Sequence, residues 1–283
     1  QVGRLEKQVM AVAGMQPDAQ TTILSSKEAL MSNPNVDVDS LTGDTQEAPA
    51  DTTELQDPDD ETGDSADGDG TDTQAEKRVY LTFDDGPSRT TPAVLAALDA
   101  AGVHGTFFVV ATGYNEKYLP LLTEAAAAGH QIALHSASHE YSDIYGSSEA
   151  YWADIALLKE RIAPYVDAES IRYLRFPGGS TNTVSRRYGG RELMKQLKSE
   201  VEQKGWQWVD WNVCAEDAVG GHPSADTIYR NVVRETGQQT NCIVLMHDSA
   251  STRTTAEALP DIIQWYADNG YTFLTVAEAL PLS

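Results

Sequence analysis

The chain has 283 residues and a formal net charge of −23, from 43 acidic and 20 basic side chains. A surface this negative repels phosphate backbones and anionic lipid heads, which argues against nucleic-acid binding and against membrane adhesion by the folded part. Two cysteines are too few for a disulfide framework, and no apolar run is long enough to span a bilayer.

The charge is unevenly divided. Residues 1–76 hold 18 acidic and 3 basic side chains and no aromatic one, whereas residues 77–283 hold 25 acidic and 17 basic. The first stretch, rich in Thr, Asp, Gly, Ser and Pro, cannot bury enough apolar surface to offset its ordering entropy. It is expected to be a disordered acidic linker or stalk, clearest over 37–76, ahead of one compact domain over 77–283. The chain starts at Gln1 and not at Met, so it is expected to be a mature or trimmed form whose targeting segment is not shown. A solvated stalk before a compact domain suits an exported protein tethered at a cell surface, extracellular and monomeric.

From Val79 onward, apolar runs and helical patterns alternate. Strands are expected over 79–83, 106–110, 131–134, 171–176, 208–213, 243–246 and 271–276, with helices over 91–102, 117–128, 148–165, 190–204, 224–235 and 255–269 between most of them. The strands are continuously apolar, as in a parallel sheet covered by helices. An open doubly wound sheet and a closed or nearly closed barrel both fit. The polar residues favour the barrel, because Asp84 and Asp85, His135, Arg175, Asp217 and His247 come at or just past the carboxyl ends of five different strands. Cys214 and Cys242 fall at opposite ends of their strands, so both are expected to be free thiols.

The run Val79-Tyr80-Leu81-Thr82-Phe83 stops at Asp84-Asp85-Gly86-Pro87. Two adjacent carboxylates repel unless one meets a cation and the other a partner, so the pair either caps a turn or serves a metal and a base. His135-Ser136-Ala137-Ser138-His139 sets two imidazoles three small residues apart after an apolar strand. With one carboxylate they make a donor set suited to Zn²⁺.

Thr82-Phe83-Asp84-Asp85-Gly86, His135-Ser136-Ala137-Ser138-His139, Arg175-Phe176-Pro177, the Asp217 loop and Leu245-Met246-His247 together resemble the five ordered motifs of the polysaccharide deacetylase family, also called the NodB-homology domain or carbohydrate esterase family 4. The resemblance covers 78–280 and implies a distorted (β/α)7 barrel. It also implies that Asp85, His135 and His139 bind a metal, Zn²⁺ or alternatively Co²⁺ or another divalent transition ion, with Asp84 as catalytic base and His247 as acid. Arg175 and Asp217 would orient these two, the Gly178 N–H would complete an oxyanion hole, and Leu245 would wall the acetyl methyl group. Pro177 and Trp211 would border the substrate. The implied activity is N-deacetylation of N-acetylglucosamine units in a polysaccharide, peptidoglycan first. Acetylated xylan, chitooligosaccharides, or a silent carbohydrate-binding role are the alternatives.

The sequence also departs from the family pattern. The fourth motif, usually Asp-x-x-Asp-Trp, reads Cys214-Ala215-Glu216-Asp217-Ala218, and the third, usually Arg-x-Pro-Tyr, ends in Gly178. Two aromatic groove walls are therefore absent, with Trp211, Tyr188 and Tyr141 as candidates to replace them. Asp210 is a rival to Asp217 as the partner of His247.

Overall fold

The computed structural model describes residues 76–280, so the acidic linker expected over 1–76 lies almost wholly outside the described residues. Within them the chain runs β1 (Arg78–Asp84), α1 (Thr91–Ala101), β2 (Thr106–Val110), α2 (Leu121–Ala127), β3 (Gln131–Ser136), α3 (Tyr141–Ile144), α4 (Ser148–Ile162) and β4 (Tyr173–Leu174). It continues through α5 (Val184–Gly189), α6 (Leu193–Gln203), β5 (Gln207–Trp208), β6 (Val213–Cys214), α7 (Ala225–Thr236), β7 (Asn241–His247), α8 (Arg253–Asp268), β8 (Thr272–Phe273) and α9 (Val276–Ala279). Helix starts follow their capping chemistry. Pro92 opens α1 at an early position, Ser147 and Ser224 accept from the first turns of α4 and α7, and Thr275 with Glu278 forms a capping box on α9.

All strand pairs are parallel, in the order β5-β4-β3-β2-β1-β7-β6. β8 pairs with Arg78 and Val79 at the start of β1, while β2 joins β1 only from Thr82. The stretch expected as one strand over 208–213 is split. Its first part, β5, pairs with β4 and its last part, β6, with β7, so residues 209–212 bridge the two open edges of a distorted half-barrel. Both cysteines are free, as their places in the sheet required.

The strands alternate between two buried faces. Val79, Leu81 and Phe83 of β1, Phe107 and Val109 of β2, Leu134 of β3 and Val244 and Met246 of β7 pack outward against the helices in one large core. Tyr80, Phe108, Ala133, Tyr173 and Val209 form a smaller cluster on the inner side, closed below by Val276 of α9. The period of two then carries the inner face of β1 from Tyr80 through Thr82 to Asp84, and that of β7 through Leu245 to His247. Polar chemistry collects at the carboxyl ends because the apolar layers below it fill the barrel.

Phe83 is fully buried and stacks on Phe107 with centroids 5.0 Å apart, directly before the two aspartates. Phe83→Ala is expected to lower unfolding free energy by about 3–5 kcal/mol through the cavity it leaves. Urea denaturation followed by circular dichroism measures this.

Candidate active site

Asp84 ends β1 facing inward, and Arg175, the residue after β4, reaches it from across the barrel. The Arg175 Nη1 donates to Asp84 Oδ1 at 2.8 Å and to Thr82 Oγ1 at 2.9 Å, Nε donates to the Val209 carbonyl at 2.9 Å, and Nη2 donates to the Asp210 carbonyl at 3.2 Å. The guanidinium is fully buried and lies 4.1 Å from the Phe108 ring centroid. A buried cation persists only with such a complete set of partners. Burial pushes the Asp84 carboxyl above its ordinary range, and the Arg175 charge pulls it back toward ionisation.

Asp85 turns out of the strand in a left-handed conformation, φ 68°, and His139 adopts φ 58°; both are uncommon for residues with a Cβ and cluster at functional sites. Ligand atoms of Asp85, His135 and His139 lie within 4.8 Å of one another. Asp85 Oδ1 is 3.3 Å from His139 Nε2 and 3.6 Å from His135 Nε2, and it has no hydrogen-bond partner among the described residues.

The tautomer of His135 follows from its other nitrogen. Nδ1 lies 2.7 Å from the Arg175 carbonyl oxygen, which can only accept, so Nδ1 carries the proton and Nε2 presents a lone pair. Burial lowers the His135 pKa to about 3, which keeps the ring neutral. A carboxylate oxygen and an imidazole lone pair thus face each other with no proton between them. The donor set and its orphaned oxygen fit a divalent cation of borderline softness, held by two nitrogens and one carboxylate.

The loop that presents the two histidines is fixed by Asp154 of α4, a residue the sequence analysis missed. Its carboxylate accepts from Ser136 Oγ at 2.7 Å, the Ala137 N–H at 2.8 Å and the Ser138 N–H at 2.9 Å, while Ser136 Oγ accepts from the His139 N–H at 2.8 Å. A single acid midway along an amphipathic helix reads as surface in sequence, and no local signal marks its target. Asp248 was missed as well. It is buried, accepts from Thr91 Oγ1 at 2.6 Å, and is pushed by burial to about 7. A Cβ on Gly86 would come within 1.9 Å of Asp248 Oδ1, so only glycine fits that turn.

On β7, His247 is the register partner of Asp84. Its Nδ1 lies 2.8 Å from Asp217 Oδ1, and Asp217 Oδ2 also accepts from the His247 N–H at 2.7 Å and from Thr255 Oγ1 at 2.7 Å. The rival Asp210 points elsewhere, accepting from the Ser180 N–H at 2.9 Å and Ser180 Oγ at 2.5 Å. Leu245 is buried two residues before His247 on the same face of β7. Gly178 has φ 77° and its N–H donates to no described acceptor, whereas the neighbouring Pro177 carbonyl takes the Tyr145 hydroxyl at 2.7 Å. Trp211 lies over Arg175, 5.5 Å from its guanidinium, and beside Gly179. Of the other aromatic candidates, Tyr188 is exposed on α5, while Tyr141 packs edge-on against His139 at 5.7 Å.

Burial works to lower the His247 pKa, but the Asp217 charge and hydrogen bond prevail and raise it to about 10. A raised histidine stabilises the fold fully below its ordinary value of 6.5, and this contribution disappears as pH rises through about 10. Imidazole NMR should find His247 still protonated at pH 8. Asp217→Asn removes the two largest raising influences and leaves burial opposed only by the charges of Asp85 and Asp84, so the His247 pKa should fall well below that of the parent. An unmoved titration would contradict the pairing.

The polysaccharide deacetylase family model matches residues 71–214. A peptidoglycan-N-acetylglucosamine deacetylase of Bacillus cereus is 31% identical over 208 residues, 72% of this chain and 89% of that protein. A bifunctional xylanase/deacetylase of Pseudobutyrivibrio xylanivorans is 29% identical over 74% of this chain, but the match spans only 31% of that larger protein. Among solved structures, the catalytic domain of a peptidoglycan N-acetylglucosamine deacetylase from Eubacterium rectale superposes with a TM-score of 0.68 at 38% identity, over 74% of this chain and 93% of that one. The chain therefore belongs to the polysaccharide deacetylase family of metal-dependent hydrolytic enzymes.

Proposed function

We propose that the domain over 77–283 removes the N-acetyl group from N-acetylglucosamine residues of a polymer, most directly peptidoglycan. The observation that carries this reading is the pairing of Asp84 with His247 across β1 and β7, beside the converging ligand atoms of Asp85, His135 and His139. It sets one group suited to accept a proton and one suited to donate a proton on adjacent strands, next to a site with the donor chemistry of a divalent cation. The substrate class is drawn from the named activities of the Bacillus cereus and Eubacterium rectale relatives.

Asp85, His135 and His139 would hold the cation, Zn²⁺ on the softness of two imidazoles and one carboxylate, with Co²⁺ or another divalent ion as substitutes. When bound, it supplies Lewis acidity that makes water more acidic and polarises an acetyl carbonyl. Asp84 accepts the proton of the attacking water, whose oxygen bonds to the acetyl carbon. Arg175 favours the ionised form of Asp84 against the effect of burial and aims it at that proton. The Gly178 N–H stabilises the charge that develops on the carbonyl oxygen. His247, charged through Asp217, gives its proton to the nitrogen as the C–N bond breaks, releasing acetate and a free amine. Leu245 lies where it would face the acetyl methyl group, and Pro177 and Trp211 border the sugar. Residues 1–76 would serve as an acidic stalk for a monomeric enzyme working outside the cell or at its surface.

The xylanase/deacetylase relative supports a second reading, ester cleavage on acetylated xylan by the same residues. Acetate release from N-acetylglucosamine oligomers and from acetylated xylan separates the two, and xylan as the sole productive substrate would overturn the first. In that assay Asp84→Asn, with folding checked by circular dichroism, should lose about 10²–10⁴-fold in kcat. Unchanged turnover would remove Asp84 as the base.

A further inference from the structure

Gly178 has no side chain, and the space where one would lie is taken by Tyr141. A Cβ built on Gly178 would stand 3.0 Å from the Tyr141 hydroxyl oxygen and 3.3 Å from its Cε1. The phenol therefore arrives from a different element, the first residue of α3, and ends beside the turn that carries the free Gly178 N–H.

Its ring is fixed on two sides. The Tyr141 ring stands edge-on to His139, with centroids 5.7 Å apart and planes at 87°, and packs on Tyr145 at 5.8 Å. Tyr145 is fully buried and is tied through its own hydroxyl to the Pro177 carbonyl, so α3 and the 175–178 turn are locked together through these two tyrosines. Packing fixes the direction of the ring, yet the Tyr141 hydroxyl has no hydrogen-bond partner among the described residues. Tyr141 is half-buried, so its hydroxyl stays accessible from outside without a fixed protein partner. A positioned hydroxyl without one, between a histidine of the cation site and a free backbone donor, is arranged to meet a group that comes with the substrate.

We propose that the Tyr141 hydroxyl is a second oxyanion donor, giving a hydrogen bond to the acetyl carbonyl oxygen alongside the Gly178 N–H. The inference rests on the deacetylase reading above and adds to it a catalytic group from outside the five sequence motifs. No bond to Tyr141 is made or broken; the neutral phenol keeps its proton throughout. Because the carbonyl oxygen gains charge only as water adds, the hydrogen bond strengthens toward the transition state and acts on kcat more than on KM. A side chain at Gly178, which its φ of 77° already disfavours, would need the phenol to shift by a few tenths of an ångström.

Tyr141→Phe tests this, because it keeps the ring contacts with His139 and Tyr145 and removes only the unpartnered oxygen. The full chain is assayed for acetate release from N-acetylglucosamine oligomers, with Tm and bound metal measured on the same preparations. The expected result is a fall of about 10²-fold in kcat, the loss typical of one oxyanion donor, with KM, Tm and metal content unchanged. A kcat within about twofold of the parent, or a loss confined to KM, overturns the proposal, since a transition-state donor acts on kcat. A drop in Tm or in bound metal overturns it too, by assigning the hydroxyl to the fold or the cation site. If the parent is active and Asp84→Asn is not, an unaffected Tyr141→Phe sinks the tyrosine alone. A parent inactive on every acetylated glycan sinks the deacetylase reading, and this inference with it.

Discussion

A fully buried arginine organises the inside of this half-barrel. Arg175 enters from the end of β4 and binds residues contributed by β1 and by the 209–212 bridge, so its guanidinium ties β1 to the β4–β5 pair, with which β1 shares no ladder. Stripping one partner from such a buried pair typically costs about 3–5 kcal/mol, far more than an exposed ion pair contributes. The same four contacts that stabilise the charge also fix the direction of the Asp84 carboxylate. Structural stability and the orientation of the proposed base are therefore one constraint, and the Arg175 carbonyl extends it by fixing the tautomer of His135.

Around that centre, the site is built from strained or unpaired elements. Asp85 and His139 hold left-handed backbone conformations, Asp85 Oδ1 is buried without a partner, and two acceptors face each other between Asp85 and His135. Each feature is unfavourable by itself. They persist because the surrounding bonds over-determine them, with Asp154 clamping the histidine loop and Asp217 holding both the backbone and the ring of His247. A cation at the convergence of the three ligand atoms would satisfy the orphaned oxygen and the facing acceptors together.

Much of this was legible in the sequence because the polar residues end apolar strands. A run such as Val79 to Phe83 fixes its own register, and the residue that follows must emerge at the rim, which is why Asp84, His135, Arg175 and His247 gather there. Free thiols, helix stops and the parallel sheet followed from local composition as well. Other features have no local signature. The strand expected over 208–213 divides because residues 209–212 must cross between the two sheet edges, a demand set by barrel closure and not by β propensity. Asp154 sits in a helix that reads as amphipathic, and its acceptor role exists only once β3 and α4 meet. Tyr141 was visible as an aromatic near the second histidine, but its place beside Gly178 depends on how α3 packs against the 175–178 turn. Asp210, inside the stretch expected as a strand, was the rival to Asp217, and the hydrogen bonds give Asp210 to Ser180 and Asp217 to His247, as the sequence reading preferred.

The cation site is the centre of the functional reading, and its stoichiometry is the most direct test. Isothermal titration of chelator-treated protein with Zn²⁺, near neutral pH where His135 is neutral, should give one site per chain in the parent, and Asp85→Asn should abolish or severely weaken it. Absence of a one-to-one site in the parent, or equal affinity in Asp85→Asn, would contradict the assignment of Asp85, His135 and His139 as its ligands.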